Sequence, residues 1–235
     1  MSMSSISFES VSREYIVGGE SVKALSNTCF SVEEGQFAVI LGPSGSGKST
    51  TLNLLGGMDR VTSGNIIVDG KDITTLSVRQ LTNYRRVDVG FVFQFYNLIP
   101  NLNCYENVDI AAKLSRNPLN AKEVLNAVGL GKRMKHFPAE MSGGELQRAS
   151  IARALCKNPK LLLCDEPTGA LDSTTGIMIL SLLKQMCRKY GKTVIVVTHN
   201  TSIAPAADRV IHLKDGCVIK VEDNTLPLSM EKVVW

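Results

Sequence analysis

Gln36-Phe37-Ala38-Val39-Ile40-Leu41 runs without a break into Gly42-Pro43-Ser44-Gly45-Ser46-Gly47-Lys48-Ser49-Thr50. The first six residues read as a compact buried strand, apolar after Gln36 and rich in β-branched and aromatic types. A glycine-rich loop follows, then a helix beginning near Lys48, with Thr51 to Met58 as its clearest helical stretch. Gly42 to Ser49 fits G-x-x-x-x-G-K-[ST], with a further glycine at Gly45. Glycines let backbone N–H groups turn inward and approach phosphate oxygens with no Cβ in the way. The positive end of the helix points at the same oxygens. The spacing predicts that Lys48 reaches the β- and γ-phosphates and that the Ser49 hydroxyl ligates Mg²⁺. Ser44, Ser46 and Thr50 complete the predicted phosphate contacts. Strand, loop and helix together imply an α/β fold that binds a nucleoside triphosphate.

A second feature lies far downstream of Ser49. Leu161-Leu162-Leu163-Cys164 is a buried strand ending in Asp165-Glu166. It delivers two carboxylates to the carboxyl edge of a sheet, where α/β folds place their ligands. Asp165 is expected to hold Mg²⁺, mainly through its waters, and Glu166 to orient and deprotonate an attacking water.

Around these motifs the chain alternates. Ile6 to Glu9 and Leu25 to Val32 read as short strands, and Asn65 to Val68 as another, closing at Asp69-Gly70. Val89 to Phe93 is a further buried strand. From Asn97 to Ala139 no strand of length occurs, and Val124, Leu125, Val128 and Leu130 have helical spacing. A helix is predicted over Glu145 to Lys157, with Leu146, Ala149, Ala152 and Leu155 on one face. Another runs from about Thr174 to Tyr190, with Leu180, Leu183, Met186 and Cys187 inward. Strand Thr193 to Thr198, a short helix after Thr201 and a ribbon turning at Asp215-Gly216 complete the pattern. Apolar strands alternating with amphipathic helices imply a parallel sheet covered on both faces. The expected organisation is one domain: a catalytic core over 1–94 and 161–221, a helical subdomain over 95–160, and a tail over 222–235. Glu222 to Trp235 is polar and unpatterned.

Composition narrows the function classes. The chain has 235 residues, 44% hydrophobic and 20% charged, which is an ordinary globular balance. Its net charge of +4 is spread along the chain, so no nucleic-acid groove is expected. No apolar run approaches the ~20 residues of a spanning helix. Met1 to Ser10 has neither the basic residues nor the apolar stretch of a signal peptide. A cytosolic location is expected, with any membrane role supplied by a partner. Cys29, Cys104, Cys156, Cys164, Cys187 and Cys217 form no close pair, which fits reduced and mostly buried thiols.

Ser142-Gly143-Gly144-Glu145-Leu146-Gln147-Arg148 precedes a helix and the acidic strand. It resembles the signature motif of ATP-binding cassette (ABC) proteins. Asp165-Glu166-Pro167-Thr168-Gly169-Ala170-Leu171-Asp172 is similar to that family's magnesium segment and D-loop. With the phosphate loop, the three motifs stand in family order, and the resemblance covers nearly the whole chain. It implies the ABC ATPase fold: a P-loop NTPase core with a mostly parallel sheet, an antiparallel β subdomain and an inserted α-helical subdomain. It also implies ATP and Mg²⁺ as ligands.

The resemblance assigns further roles. Gln94 resembles the glutamine that contacts Mg²⁺ or the water and links the core to the helical subdomain. His199 resembles the switch histidine that touches the γ-phosphate, and Tyr15 the aromatic that stacks on adenine. Ser142, Gly143, Gly144 and Glu145 form a second anion cradle at a helix N-terminus. In the family that cradle closes on the nucleotide of a second subunit, so hydrolysis is expected to need a dimer, with Asp172 bridging the subunits. Met141 stands where leucine is commoner, and Glu145 where glutamine is frequent.

Gly90-Phe91-Val92-Phe93-Gln94, Asn97-Leu98-Ile99-Pro100 and Glu106-Asn107-Val108 resemble the lipoprotein-release and macrolide-efflux branch. That implies a homodimer, or a pair with a related cassette, driving an integral membrane permease from the inner face of the membrane. The cargo classes implied are lipoproteins, peptides or antibiotics. A soluble cassette acting on nucleic acid or ribosomes is the alternative within the family. The short segment between Lys48 and Ser142, with no long coiled coil, and the single cassette argue against it.

Overall fold

A computed structural model describes residues 4–233. Its elements run β1 (Ser4–Val17), β2 (Glu20–Glu33), β3 (Phe37–Leu41), α1 (Lys48–Leu55), β4 (Ser63–Val68), β5 (Lys71–Asp72), α2 (Val78–Val87), β6 (Val89–Val92), α3 (Cys104–Lys113), α4 (Ala121–Ala127), α5 (Gly143–Cys156), β7 (Leu161–Asp165), α6 (Ser173–Tyr190), β8 (Thr193–Thr198), β9 (Arg209–Lys214) and β10 (Cys217–Asp223).

The strands make two sheets. One is antiparallel, in the order β2-β1-β4-β5; the other has the order β10-β9-β3-β8-β7-β6. In the second, β3 pairs in parallel with β8 and β9, and β7 with β6 and β8; only edge strand β10 is antiparallel. Strand β3 is buried throughout at the centre, as its near-continuous apolar run requires.

Alternation along these strands divides the core. Phe37, Val39 and Leu41, with Leu162, Cys164, Val194 and Val196, face a layer built from α3, α4, α5 and α6. Ala38 and Ile40, with Leu161, Leu163, Ile195 and Val197, face α1 and the antiparallel sheet, meeting Leu52, Leu55, Ile6, Phe8 and Leu25. Each fully buried leucine or isoleucine contributes roughly 1.5–3 kcal/mol over an exposed one. The helices between β6 and β7 thus share one continuous apolar cluster with the sheet.

Several expectations change. Helix α1 covers Lys48–Leu55 and stops before Met58, because Gly56 and Gly57 follow it, Gly57 with φ +64°. Helix α2 was not anticipated. Only Leu81 and Tyr84 are buried on it, and its start is a capping box of Ser77 and Gln80. Ile6 to Glu9 and Leu25 to Val32 are parts of one long hairpin with several register shifts. The segment after Thr201 is a 3₁₀ helix, Thr201–Ala206. The tail is ordered over its described part. Residues 222–223 finish β10, a 3₁₀ turn covers Met230–Lys232, and Met230 and Val233 are buried against α6 and its neighbours. The readings for Met1 to Met3 and for Val234-Trp235 lie outside the described residues. Among the described residues no helix is long and apolar enough to cross a membrane.

Candidate functional site

Strand β3 carries the loop to the carboxyl edge of the parallel sheet, with Leu41 paired to Thr198 and His212. The loop's glycines have distinct physical reasons. Gly45 and Gly47 take φ +79° and +98°. A Cβ at Gly47 would strike the Ala24 carbonyl and the Leu25 side chain, so β2 lies hard beneath the loop. A Cβ at Gly42 would meet the Leu213 carbonyl and Ser46 Oγ. The N-terminus of α1 has no side-chain cap and no acidic residue in its first turn. Its N–H groups therefore lack a side-chain acceptor, the condition that suits an external anion. Lys48 Nζ curls over the loop, donating to the Gly42 and Pro43 carbonyls at 2.8 Å each. The loop opens on a cleft of about 750 Å³ whose lining includes Ser44, Gly45, Lys48, Ser49, Glu166 and His199.

Strand β7 ends in the two carboxylates; Glu166 lines this cleft, and Asp165 stands behind it, against Ser49. Ser49 Oγ donates to Asp165 Oδ1 at 3.3 Å. Burial holds the Asp165 carboxyl above the ordinary range; the Ser49 hydrogen bond opposes this, Glu166 adds to it and Lys48 opposes it. A half-buried carboxylate facing a neutral hydroxyl fits a divalent cation, which would supply the missing positive charge. Glu166 has φ +45°, a conformation that costs a non-glycine residue about 1 kcal/mol or more. The backbone turn aims its carboxylate at the end of β8. Oε2 accepts from Thr198 Oγ1 at 2.9 Å. Oε1 accepts from the His199 N–H at 3.1 Å and lies 2.9 Å from His199 Nδ1. The His199 side chain is 70% exposed. Thr198 was not singled out from the sequence; the only signal was its place between a buried strand and a candidate histidine.

Gln94 follows β6 and does not line the cleft; a Cβ at Gly169 would meet its amide nitrogen, so it lies beside the D-loop. The next residues take an uncommon path, with Tyr96 at φ +55° and Asn97 at φ +50°. Arg153 of α5 holds them, its guanidinium donating to the Tyr96 carbonyl at 2.9 Å and to the Asn97 carbonyl. Buried Asn107 pins the following turn through the Ile99 N–H and the Ile99, Leu102 and Asn103 carbonyls.

Ser142 caps α5, and Gly143 and Gly144 form its first turn. Among the described residues lining the phosphate-loop cleft, none belongs to this segment. The start of α5 is therefore capped by its own side chains, unlike that of α1, and it lies outside the cleft. Glu145 completes a capping box with Ser142. Asp172 caps α6, accepting from the Thr175 N–H at 3.0 Å and its hydroxyl at 2.7 Å, and these bonds hold its carboxyl below the ordinary range. Tyr15 sits on β1 opposite Val22. Its hydroxyl donates to Asp59 at 2.6 Å and the Arg13 guanidinium lies 4.4 Å from its ring centre. Tyr15 is not part of the cleft lining.

Residues 25–169 match the family described as ABC transporter. A putative ABC transporter ATP-binding protein of Mycoplasma pneumoniae is 45% identical over 226 residues, covering 94% of this chain and 49% of the relative. The chain spans about half the length of the two Mycoplasma relatives it matches. The ABC transporter ATP-binding protein MJ0796 of Methanocaldococcus jannaschii is 44% identical, with 92% of this chain and 96% of the relative covered. Its dimeric post-hydrolysis structure bound to ADP and Pi matches with a TM-score of 0.84 at 41% identity, over 93% of this chain and 98% of that one. The lipoprotein-releasing system ATP-binding protein LolD of Shewanella frigidimarina is 39% identical, with 94% of each chain covered.

Proposed function

The chain belongs to the ABC transporter family, and from that premise we propose that it is the ATP-hydrolysing nucleotide-binding subunit of a transporter, working as a dimer. One observation carries the proposal: the phosphate loop, whose helix start has no side-chain cap, opens on the cleft, whereas the Ser142-Gly143-Gly144 motif at the start of α5 lines no part of it. Two copies facing each other would give each cleft the partner's Ser142, Gly143 and Gly144. The dimeric ADP- and Pi-bound relative supports this arrangement by analogy.

In this reading Lys48 leaves the Gly42 and Pro43 carbonyls for the phosphates, and the loop N–H groups cradle them. Ser49 and Asp165 would hold Mg²⁺, which would supply positive charge against the charge developing on the phosphate oxygens. Glu166 takes the proton of the attacking water, and Thr198 and His199 fix the direction of its carboxylate. Gln94 reports the state of the cleft to the helical segment, Tyr15 supports the adenine, and Asp172 reaches the partner subunit. Residues 95–160 act as the helical subdomain against which a permease docks. Phe95 and Ile99, 75% and 42% exposed beside Gln94, offer the apolar contact. The permease would hold the protein at the inner face of the membrane. Likeness to the lipoprotein-releasing relative favours lipoproteins as cargo.

The test is Glu166→Gln. It removes the base while leaving the cleft, so ATP should be retained without turnover and should drive a stable dimer in sedimentation velocity. Rapid ATP cleavage by this variant, or a monomer at saturating ATP, contradicts the proposal.

A further inference from the structure

Neither carboxylate oxygen of Glu145 is free to meet a nucleotide. Oε1 accepts from Arg133 Nε at 2.7 Å, and Oε2 accepts from the Ser142 N–H at 2.9 Å and the Ser142 hydroxyl at 3.1 Å. Glu145 is the third residue of α5. Its charge therefore sits in the turn whose N–H groups are to receive an anion. A carboxylate there has opposing effects. It closes the capping box and suits the helix dipole. It also repels an arriving phosphate and retains the Ser142 hydroxyl proton that the phosphate would accept.

Arg133 supplies the counter-charge from another segment, the 3₁₀ turn Gly131–Arg133. Its guanidinium is held on a second side, with Nη1 3.1 Å from His136 Nε2. Arginine only donates, so Nε2 accepts and the proton is on Nδ1. That Nδ1 is buried without a partner, so the histidine keeps an unsatisfied donor while it braces Arg133.

We propose that Arg133 is a positioning residue for the signature helix: by neutralising Glu145 it keeps the N-terminus of α5 receptive to the partner subunit's nucleotide. The inference rests on the dimer reading above. Arg133 acts only through Glu145, and its role exists because a carboxylate, not an amide, stands at that position.

A double-mutant cycle in the Glu166→Gln background tests it, reading ATP-driven dimerisation by sedimentation velocity at low and high salt. Arg133→Gln should weaken the dimer about tenfold or more, as an uncompensated charge near a polyphosphate does. The loss should shrink at high salt. With Glu145→Gln also present, the same Arg133→Gln change should cost less than about threefold, because no charge is left to neutralise. Equal losses in both backgrounds, or no loss in either, overturn the inference. Should Arg133→Gln fail to fold, Arg133→Lys retains the charge and should dimerise within about threefold of the parent; a tenfold loss there overturns it too. If Glu166→Gln with Arg133 and Glu145 intact does not dimerise on ATP, the dimer reading itself fails. If it dimerises but ignores Arg133, only this inference fails.

Discussion

Asp165 carries a stability cost that the proposed cation would relieve. Burial, the largest influence, holds its carboxyl above the ordinary range. An acid raised in the folded state binds protons more readily there than in the unfolded chain. Its ionised form therefore costs stability, and that cost is felt as pH rises through the folded pKa. At neutral pH Asp165→Asn removes the cost. Calorimetry without ligand should show a Tm at the parent value or up to about 3 °C above it. The rise in Tm on adding Mg²⁺ and ATP should be lost. A clearly lower Tm without ligand, or an undiminished Mg²⁺-ATP shift, contradicts this role. The carboxylates, the loop and the signature were legible because each is a spacing of residue types with a chemical reason. Thr198 and Arg133 were not, because each acts through a partner 32 or 12 positions away that no local pattern links to it.

At the scale of elements, α5 joins the parts. Ser142 and Gly143 open it, Arg153 on it fixes the backbone after Gln94, and Lys157 at its end donates to the Arg85 and Val89 carbonyls. A shift of this helix therefore moves the signature and the Gln94 segment together. The alternation of strands and helices was readable because the central strands are uniformly apolar and the long helices carry apolar faces at helical spacing. Helix α2 was obscured by its arginines and polar residues, with two buried side chains in ten. The tail was obscured because Met230 and Val233 form no period, and their partners lie on α6, far earlier in the chain. Lys184 of α6 ties the tail down further, donating to the Leu228 carbonyl at 2.7 Å. Met230 is 3% exposed. Met230→Ala should lower unfolding free energy by about 2 kcal/mol in denaturant titration, through lost burial and a cavity. ATP affinity should be unchanged, since the phosphate-loop cleft includes no tail residue among the described residues. A loss below about 0.5 kcal/mol would show that the tail is not docked in solution.

For the whole molecule, the parallel sheet delivers Lys48, Glu166 and His199 to one edge. The helical layer holds Ser142 and its glycines outside that cleft, capped at the start of α5. ATP would join two such surfaces, and hydrolysis would release them, converting one bond cleavage into motion of a permease. The central claim is that catalysis belongs to the pair. The direct measurement is specific ATPase activity of the unmodified protein across a dilution series, at saturating Mg²⁺ and ATP. Activity per subunit should rise with protein concentration at the dilute end and level off once the ATP-bound dimer dominates. Constant activity per subunit, down to concentrations where sedimentation finds only monomer, would contradict the account.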